Sequence, residues 1–154
     1  MSQPTPAGRE KILSHHSDAA PKAIGPYSQA VSVSGVLFTS GQVGIDPSSG
    51  ELVAGGFEAQ AERVFENLRQ VLASANCTFA DVLKATVYLA DMADFPLLNR
   101  IYAARFGDHK PARSTMQAAA LPKNARVEID LVARMPAPAP TAEASSRASI
   151  RSPL

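Results

Sequence analysis

Pro111-Ala112-Arg113-Ser114-Thr115-Met116 and, shortly after it, Leu121-Pro122-Lys123-Asn124-Ala125-Arg126-Val127-Glu128-Ile129-Asp130 decide the fold. After Pro111 the side chains alternate, with Arg113, Thr115 and Gln117 pointing one way and Ser114, Met116 and Ala118 the other, the period of a strand. The second segment alternates too: Val127, Ile129, Leu131 and Ala133 share one face, and Arg126, Glu128 and Asp130 the opposite one. With the apolar rows of both strands turned to one core, Arg113 and Glu128 emerge together on the other face of the same sheet. A guanidinium and a carboxylate then look into one space.

That pair has two physical uses. An arginine fork binds a carboxylate through two charge-assisted hydrogen bonds, while a glutamate positions water and moves its protons, so together they suit hydrolysis of a small acid. The plainer use is a cross-strand ion pair on a solvated sheet, worth roughly 0.2 to 1 kcal/mol. Spacing alone favours the plainer use.

Outward from these strands the chain reads as one α+β domain at 19–136. Gly25-Pro26 introduces a strand over 27–33, Ser34-Gly35 turns it, and 36–43 returns as its hairpin partner. Phe57, Ala61, Val64, Phe65, Leu68, Val71, Leu72 and Ala75 recur at spacings of three and four, which predicts a helix with one apolar stripe, stopping near Asn76. Thr78 and Asp81 suggest a capped turn, after which Leu83, Ala85, Val87 and Leu89 alternate with Lys84, Thr86 and Tyr88 as a third strand. Pro96 suits the first turn of a second helix whose apolar face is Phe95, Leu98, Ile101, Tyr102 and Phe106, with Gly107 ending it. Two helices cover only one face of such a sheet. The other, carrying Ala30 or Val31, Tyr88 and Val132 among charges, suits burial against another subunit. Residues 1–18 read as a flexible N-terminal extension, and 137–154, rich in Pro, Ala and Ser, as a disordered tail.

Composition narrows the function. The chain of 154 residues carries a net charge of +1 with no basic cluster, so nothing in its charge supports nucleic-acid binding. No apolar run approaches the roughly 20 residues that cross a bilayer, and 1–18 lacks the pattern of a secretory signal. The single Cys77 is compatible with a reducing, cytoplasmic setting. His15, His16 and His109 have no zinc-type spacing with it, so no metal site is expected.

Pro111-Ala112-Arg113-Ser114, followed by Leu121-Pro122-Lys123 and Val127-Glu128-Ile129, resembles the signature of the reactive intermediate deaminase family, also called Rid or YjgF. Gly25-Pro26-Tyr27-Ser28-Gln29-Ala30 resembles that family's opening segment, Thr39-Ser40-Gly41-Gln42 its second strand, and Asn99 in Leu98-Asn99-Arg100-Ile101-Tyr102 its second helix. The resemblance covers roughly 19–135. It implies a chorismate-mutase-like fold, a single mixed sheet with two helices packed on one face, and a homotrimer with active sites in the clefts between subunits. It also implies hydrolytic deamination of reactive 2-enamine and 2-imine acids, such as 2-aminoacrylate released by pyridoxal-phosphate enzymes, to 2-oxo acids and ammonia without a cofactor. By the same resemblance Arg113 holds the substrate carboxylate and Glu128, with water, serves acid-base chemistry. Tyr27, Ser40, Gly41 and Asn99 line the pocket. Thr115 stands where many members carry cysteine. It shares the Arg113 face, and without an activating base its hydroxyl is no nucleophile, which disfavours a covalent mechanism and leaves the substrate preference open.

Two other functions compete. A trimeric protein that binds small carboxylates without turnover would use Arg113 but not Glu128. An endoribonuclease or translation inhibitor, activities attributed to some relatives, is weakened by the absence of a basic stripe and of a catalytic histidine pair.

Overall fold

The apolar stripe over 57–75 folds as α1 (Gly56–Ser74), burying Phe57, Ala61, Val64, Phe65, Leu68, Val71 and Leu72, and the chain leaves it through Asn76 at φ 58°. Pro96 sits in the first turn of α2 (Phe95–Phe106), and Gly107, at φ 62°, ends it in a conformation that costs glycine little. In this computed structural model, which describes residues 8–138, both helices lie on one sheet of seven strands. These are β1 (Leu13–His15), β2 (Ala30–Val33), β3 (Val36–Thr39), β4 (Gln42–Val43), β5 (Val82–Leu89), β6 (Ala112–Gln117) and β7 (Val127–Arg134). The order is β1-β2-β3-β7-β5-β6, with β4 also on β7. β5 and β6 are parallel, joined through α2, and the remaining pairs are antiparallel. The expected single mixed sheet with two helices is therefore present.

The core lies between sheet and helices. Leu37, Val82, Ala85, Val87, Leu89, Val127, Ile129, Leu131 and Ala133 meet the α1 stripe and Leu98, Ile101 and Phe106 of α2. Each large side chain so enclosed contributes about 1.5 to 3 kcal/mol. On the opposite face Val31, Phe38 and Val132 stand in one row across the register, and Tyr88 and Met116 in another, with no helix among the described residues over them. Phe38 is 46% exposed and Met116 43%. Among the described residues no helix is long and apolar enough to cross a membrane.

The structure departs from the sequence expectation at several places. Residues 1–18 are not all extension: Leu13–His15 pair with β2, His15 Nε2 lies 2.8 Å from the Ser32 hydroxyl, and the Glu10 carboxylate accepts from the Ser34 amide and hydroxyl. Backbone and polar side chains hold this strand, so it carries no hydrophobic period. Strand 36–43 is broken: from Phe38 to Gln42 the chain takes four steps while β7 takes three from Val132 to Ile129, a bulge at Ser40-Gly41. A second bulge in β5 turns Leu83 outward, 49% exposed, and puts Val82 in the core in its place. Of the tail expected over 137–154, all but Ala137 and Pro138 lies outside the described residues.

Candidate active site

The site residues fall into two groups, one on each face of the sheet. Arg113 pairs with Ala85 and Thr115 with Val87, so both side chains share the helix-covered face with the core row of β5. Glu128 pairs with Tyr88, on the opposite face. The shared face expected for Arg113 and Glu128 is therefore wrong. The polar row of β6 lies inward beneath α2, and the row containing Met116 lies outward. Two strand spacings and three residues along the strands separate the two Cα atoms, about 14 Å by sheet geometry, with side chains diverging. A three- or four-carbon acid cannot touch both in one chain.

On the outer face, α1 sets the carboxylate's surroundings. The buried Asn67 side chain donates to the carbonyls of Val43 (3.2 Å) and Ile45 (2.9 Å), and Gln60 Oε1 accepts from the Arg126 amide, so two helix amides fix β4 and the entry to β7. Gly44 permits that approach, since a Cβ there would lie 2.8 Å from Gln60 Cα. The bulge then brings Gly41 under Glu128: a Cβ at Gly41 would stand 2.6 Å from Oε1. Ser40 donates its hydroxyl to the Ser28 carbonyl at 2.6 Å, leaving oxygen lone pairs to accept from a ligand. Tyr27 Oη accepts from the Ile24 amide at 3.3 Å, and its own proton can be donated. Tyr27, Ser40, Gly41 and Glu128 line one cavity of about 410 Å³, with Lys22, Ile24 and Pro122 among its other walls. Burial pushes the Glu128 carboxyl above the ordinary carboxylate range, and the Asp130 carboxylate two residues on adds to the effect.

On the inner face, the Arg113 guanidinium carbon lies 4.7 Å from the centre of the Tyr102 ring and 5.4 Å from that of Phe95. Both rings come from α2. They favour a cation, and among the described residues no carboxylate pairs with Arg113, so its fork is held and unspent. Asn99 lies between these aromatics on the same helical stripe, four residues from Phe95 and three from Tyr102. Thr115 Oγ1 and Tyr102 Oη are buried without a hydrogen-bond partner among the described residues. Burial raises the Tyr102 phenol, partly offset by Arg113, and keeps it protonated.

Sequence reasoning missed Phe95 and Tyr102 as supports of Arg113, although their spacing of seven along one helix face was visible. It also missed the roles of Gln29 and Asp130. Gln29 is buried, accepts from the Ser17 amide and donates to the carbonyls of Ser17 and Pro21, holding the segment that leads into the cavity wall.

The family described as endoribonuclease L-PSP matches residues 17–135. A Mus musculus protein called 2-iminobutanoate/2-iminopropanoate deaminase is 53% identical over 114 residues, covering 74% of this chain and 84% of its own length. The crystal structure of the Rid-family protein YyfA from Yersinia pestis, whose function is described as unknown, superposes with a TM-score of 0.79 at 40% identity. That match covers 81% of this chain and all of the other. E. coli TdcF with bound serine gives a TM-score of 0.76 at 35% identity over 80% of this chain and 99% of its own.

Proposed function

The chain belongs to the endoribonuclease L-PSP family, the reactive intermediate deaminase (Rid or YjgF) family, and from that membership we propose that it hydrolyses 2-imino acids at clefts between copies of itself. The observation that carries the proposal is the division of the site: an unspent guanidinium on one sheet face and a carboxylate of raised pKa in a cavity on the other. A second copy brings the two together. The half-apolar outer face supports such association, and a homotrimer is the expected form.

In the assembled cleft Arg113 takes the substrate carboxylate through two parallel hydrogen bonds. Glu128 removes a proton from water as its oxygen bonds to C2 and hands that proton to the imine nitrogen, which returns the carboxylate and gives the carbinolamine. The carboxylate then takes the carbinolamine's hydroxyl proton and passes it to the amine nitrogen, which leaves as ammonia as the C–N bond breaks and the 2-oxo acid's carbonyl forms. Ser40 accepts from the nitrogen. An enamine such as 2-aminoacrylate, supplied by pyridoxal-phosphate enzymes, gains a proton at C3 first and then follows the same course.

The family's nuclease label finds no support in the cavity. Glu128 there would repel a phosphodiester, and His15, His16 and His109 are engaged elsewhere, with Ser32, Asp18 and the Val82 carbonyl. The test is a coupled assay in which a threonine or serine dehydratase generates the imine in semicarbazide buffer and release of 2-oxo acid is followed. Wild type should accelerate release. Arg113→Ala and Glu128→Gln should each lose about 100-fold or more in kcat/KM. Equal rates with and without wild-type protein would reject the proposal, and carboxylate binding retained in Glu128→Gln without any turnover in wild type would favour the sensor.

A further inference from the structure

Arg126 stands just before β7, and its main chain is fixed on both sides. Gln60 of α1 accepts from its amide at 2.9 Å, and its carbonyl accepts from the Ala90 amide at 3.0 Å. From that anchorage the side chain runs to the starts of both helices. Its guanidinium carbon lies 5.8 Å from the centre of the Phe57 ring at the head of α1, and Nη2 donates to Asp94 Oδ2 at 2.8 Å, immediately before α2. Asp94 occupies the N-cap of α2, where an aspartate ordinarily accepts from the helix's own amides, yet it caps none of them. Its carboxylate goes to Arg126 instead. We infer that Arg126 is a positioning residue for substrate binding: through Asp94 it fixes Phe95, one of the two rings on which the Arg113 guanidinium rests, an inference that rests on the deaminase reading above.

The two rings are held differently. Tyr102 lies within α2, its ring centre 4.5 Å from that of Phe106 and 6.0 Å from that of Phe65, both core residues. Phe95 is the first residue of the helix and only partly buried, at an end where the amides lack intrahelical partners. Two side chains from neighbouring strands hold the turn Met92–Asp94 that leads into it. Gln117, ending β6, accepts from the Met92 amide at 2.9 Å, and Arg126 takes Asp94 at the other end of the turn, next to Phe95. Without that second tie Phe95 shifts against Arg113, and the fork loses the alignment that two parallel hydrogen bonds to a carboxylate require. The Arg126 side chain is itself 44% exposed, so the pair contributes little to global stability. Glu128 is spared, because the backbone bonds that place its strand do not involve the Arg126 side chain.

The full chain is assayed for KM and kcat by dehydratase-coupled release of 2-oxo acid, and for pyruvate affinity by calorimetry, which reads the carboxylate site without turnover. Arg126→Met keeps an unbranched stem over Phe57 but no donor, and Asp94→Ala removes the acceptor. Misaligning one charge-assisted hydrogen bond costs about tenfold, so each variant should raise KM and the pyruvate Kd by about tenfold. kcat should stay within about twofold, and the acid limb of the pH profile should not move. The double variant should be no worse than either single one, and in an Arg113→Ala background Arg126→Met should lower kcat/KM no further. A merely structural role would instead lower kcat with the active fraction and leave KM unchanged, which would overturn the inference. So would unaltered pyruvate affinity in both variants, or a further tenfold loss in the Arg113→Ala background, while hydrolysis by wild type keeps the deaminase reading. Pyruvate binding that depends on Arg126 in a wild-type chain without turnover would remove the deaminase reading and leave Arg126 positioning a carboxylate site. A wild-type chain that neither hydrolyses the imine nor binds pyruvate would remove both.

Discussion

Co-refolding equal amounts of Arg113→Ala and Glu128→Ala chains should restore about a quarter of wild-type deaminase activity, although each variant alone is nearly inactive. The figure follows from the sheet register. Arg113 is aligned with Ala85 on the helix side of β5, and Glu128 with Tyr88 on the other side. At about 14 Å between Cα atoms with diverging side chains, one chain cannot present both groups to a small acid. On the proposed function each working site therefore takes its guanidinium from one chain and its carboxylate from a neighbour. In a random mixture each contribution is intact half the time, so both are intact in about one site of four, whatever the number of chains in a cyclic assembly. The assay is the dehydratase-coupled release of 2-oxo acid, with the two variants carrying different affinity tags so that mixed assemblies are verified by tandem capture. Activity of the verified mixture no higher than the mean of the two variants would place the site within one chain and refute the reasoning.

The acid limb of kcat/KM should lie at higher pH than an ordinary carboxylate's, because Glu128 must be ionised to take a proton from water while burial and Asp130 favour its neutral form; Asp130→Asn should move the limb toward acid. The same shift has a stability sign. A carboxyl whose folded pKa is raised is destabilising once pH rises through that pKa, so Glu128→Gln should raise the melting temperature at pH 7, and the gain should close as pH falls below the usual carboxylate range. Gly41→Ala, whose Cβ would press on Glu128 Oε1, should lower kcat by about 100-fold, with circular dichroism melting little changed because the clash is relieved by a flexible side chain. Val82→Ala should cost about 2 kcal/mol in urea unfolding and Leu83→Ala less than about 0.5, the reverse order being the mark of an unbulged strand.

Both helices were legible because their stripes, the early Pro96 and the terminal Gly107 are local signals that the packing reinforces. β7 was legible too, since its two rows differ sharply in polarity and one is fully enclosed. β6 was different. It is an edge strand with side chains half-buried or exposed in both rows, so alternation gave its period without saying which row faces inward. The inward row is Arg113 and Thr115 because α2 presents aromatic rings there, a surface on which a guanidinium is at home. The period of both strands was thus readable, and the division of Arg113 and Glu128 between two faces was not. The bulge at Leu83 escaped because one extra residue is visible only against a partner strand.

β1 gives the leading residues a significance beyond their length. Were it absent, β2 would form the sheet's margin with a row of unpaired amides and carbonyls, an invitation for any passing strand. Three residues, anchored by Glu10 on one side and by the Gln29 amide on the other, occupy that position from within the chain. They serve as insulation. A chain shortened to begin at Ala19 would keep every residue assigned to the chemistry and acquire a sticky edge, so its solubility, rather than its turnover, would register the loss.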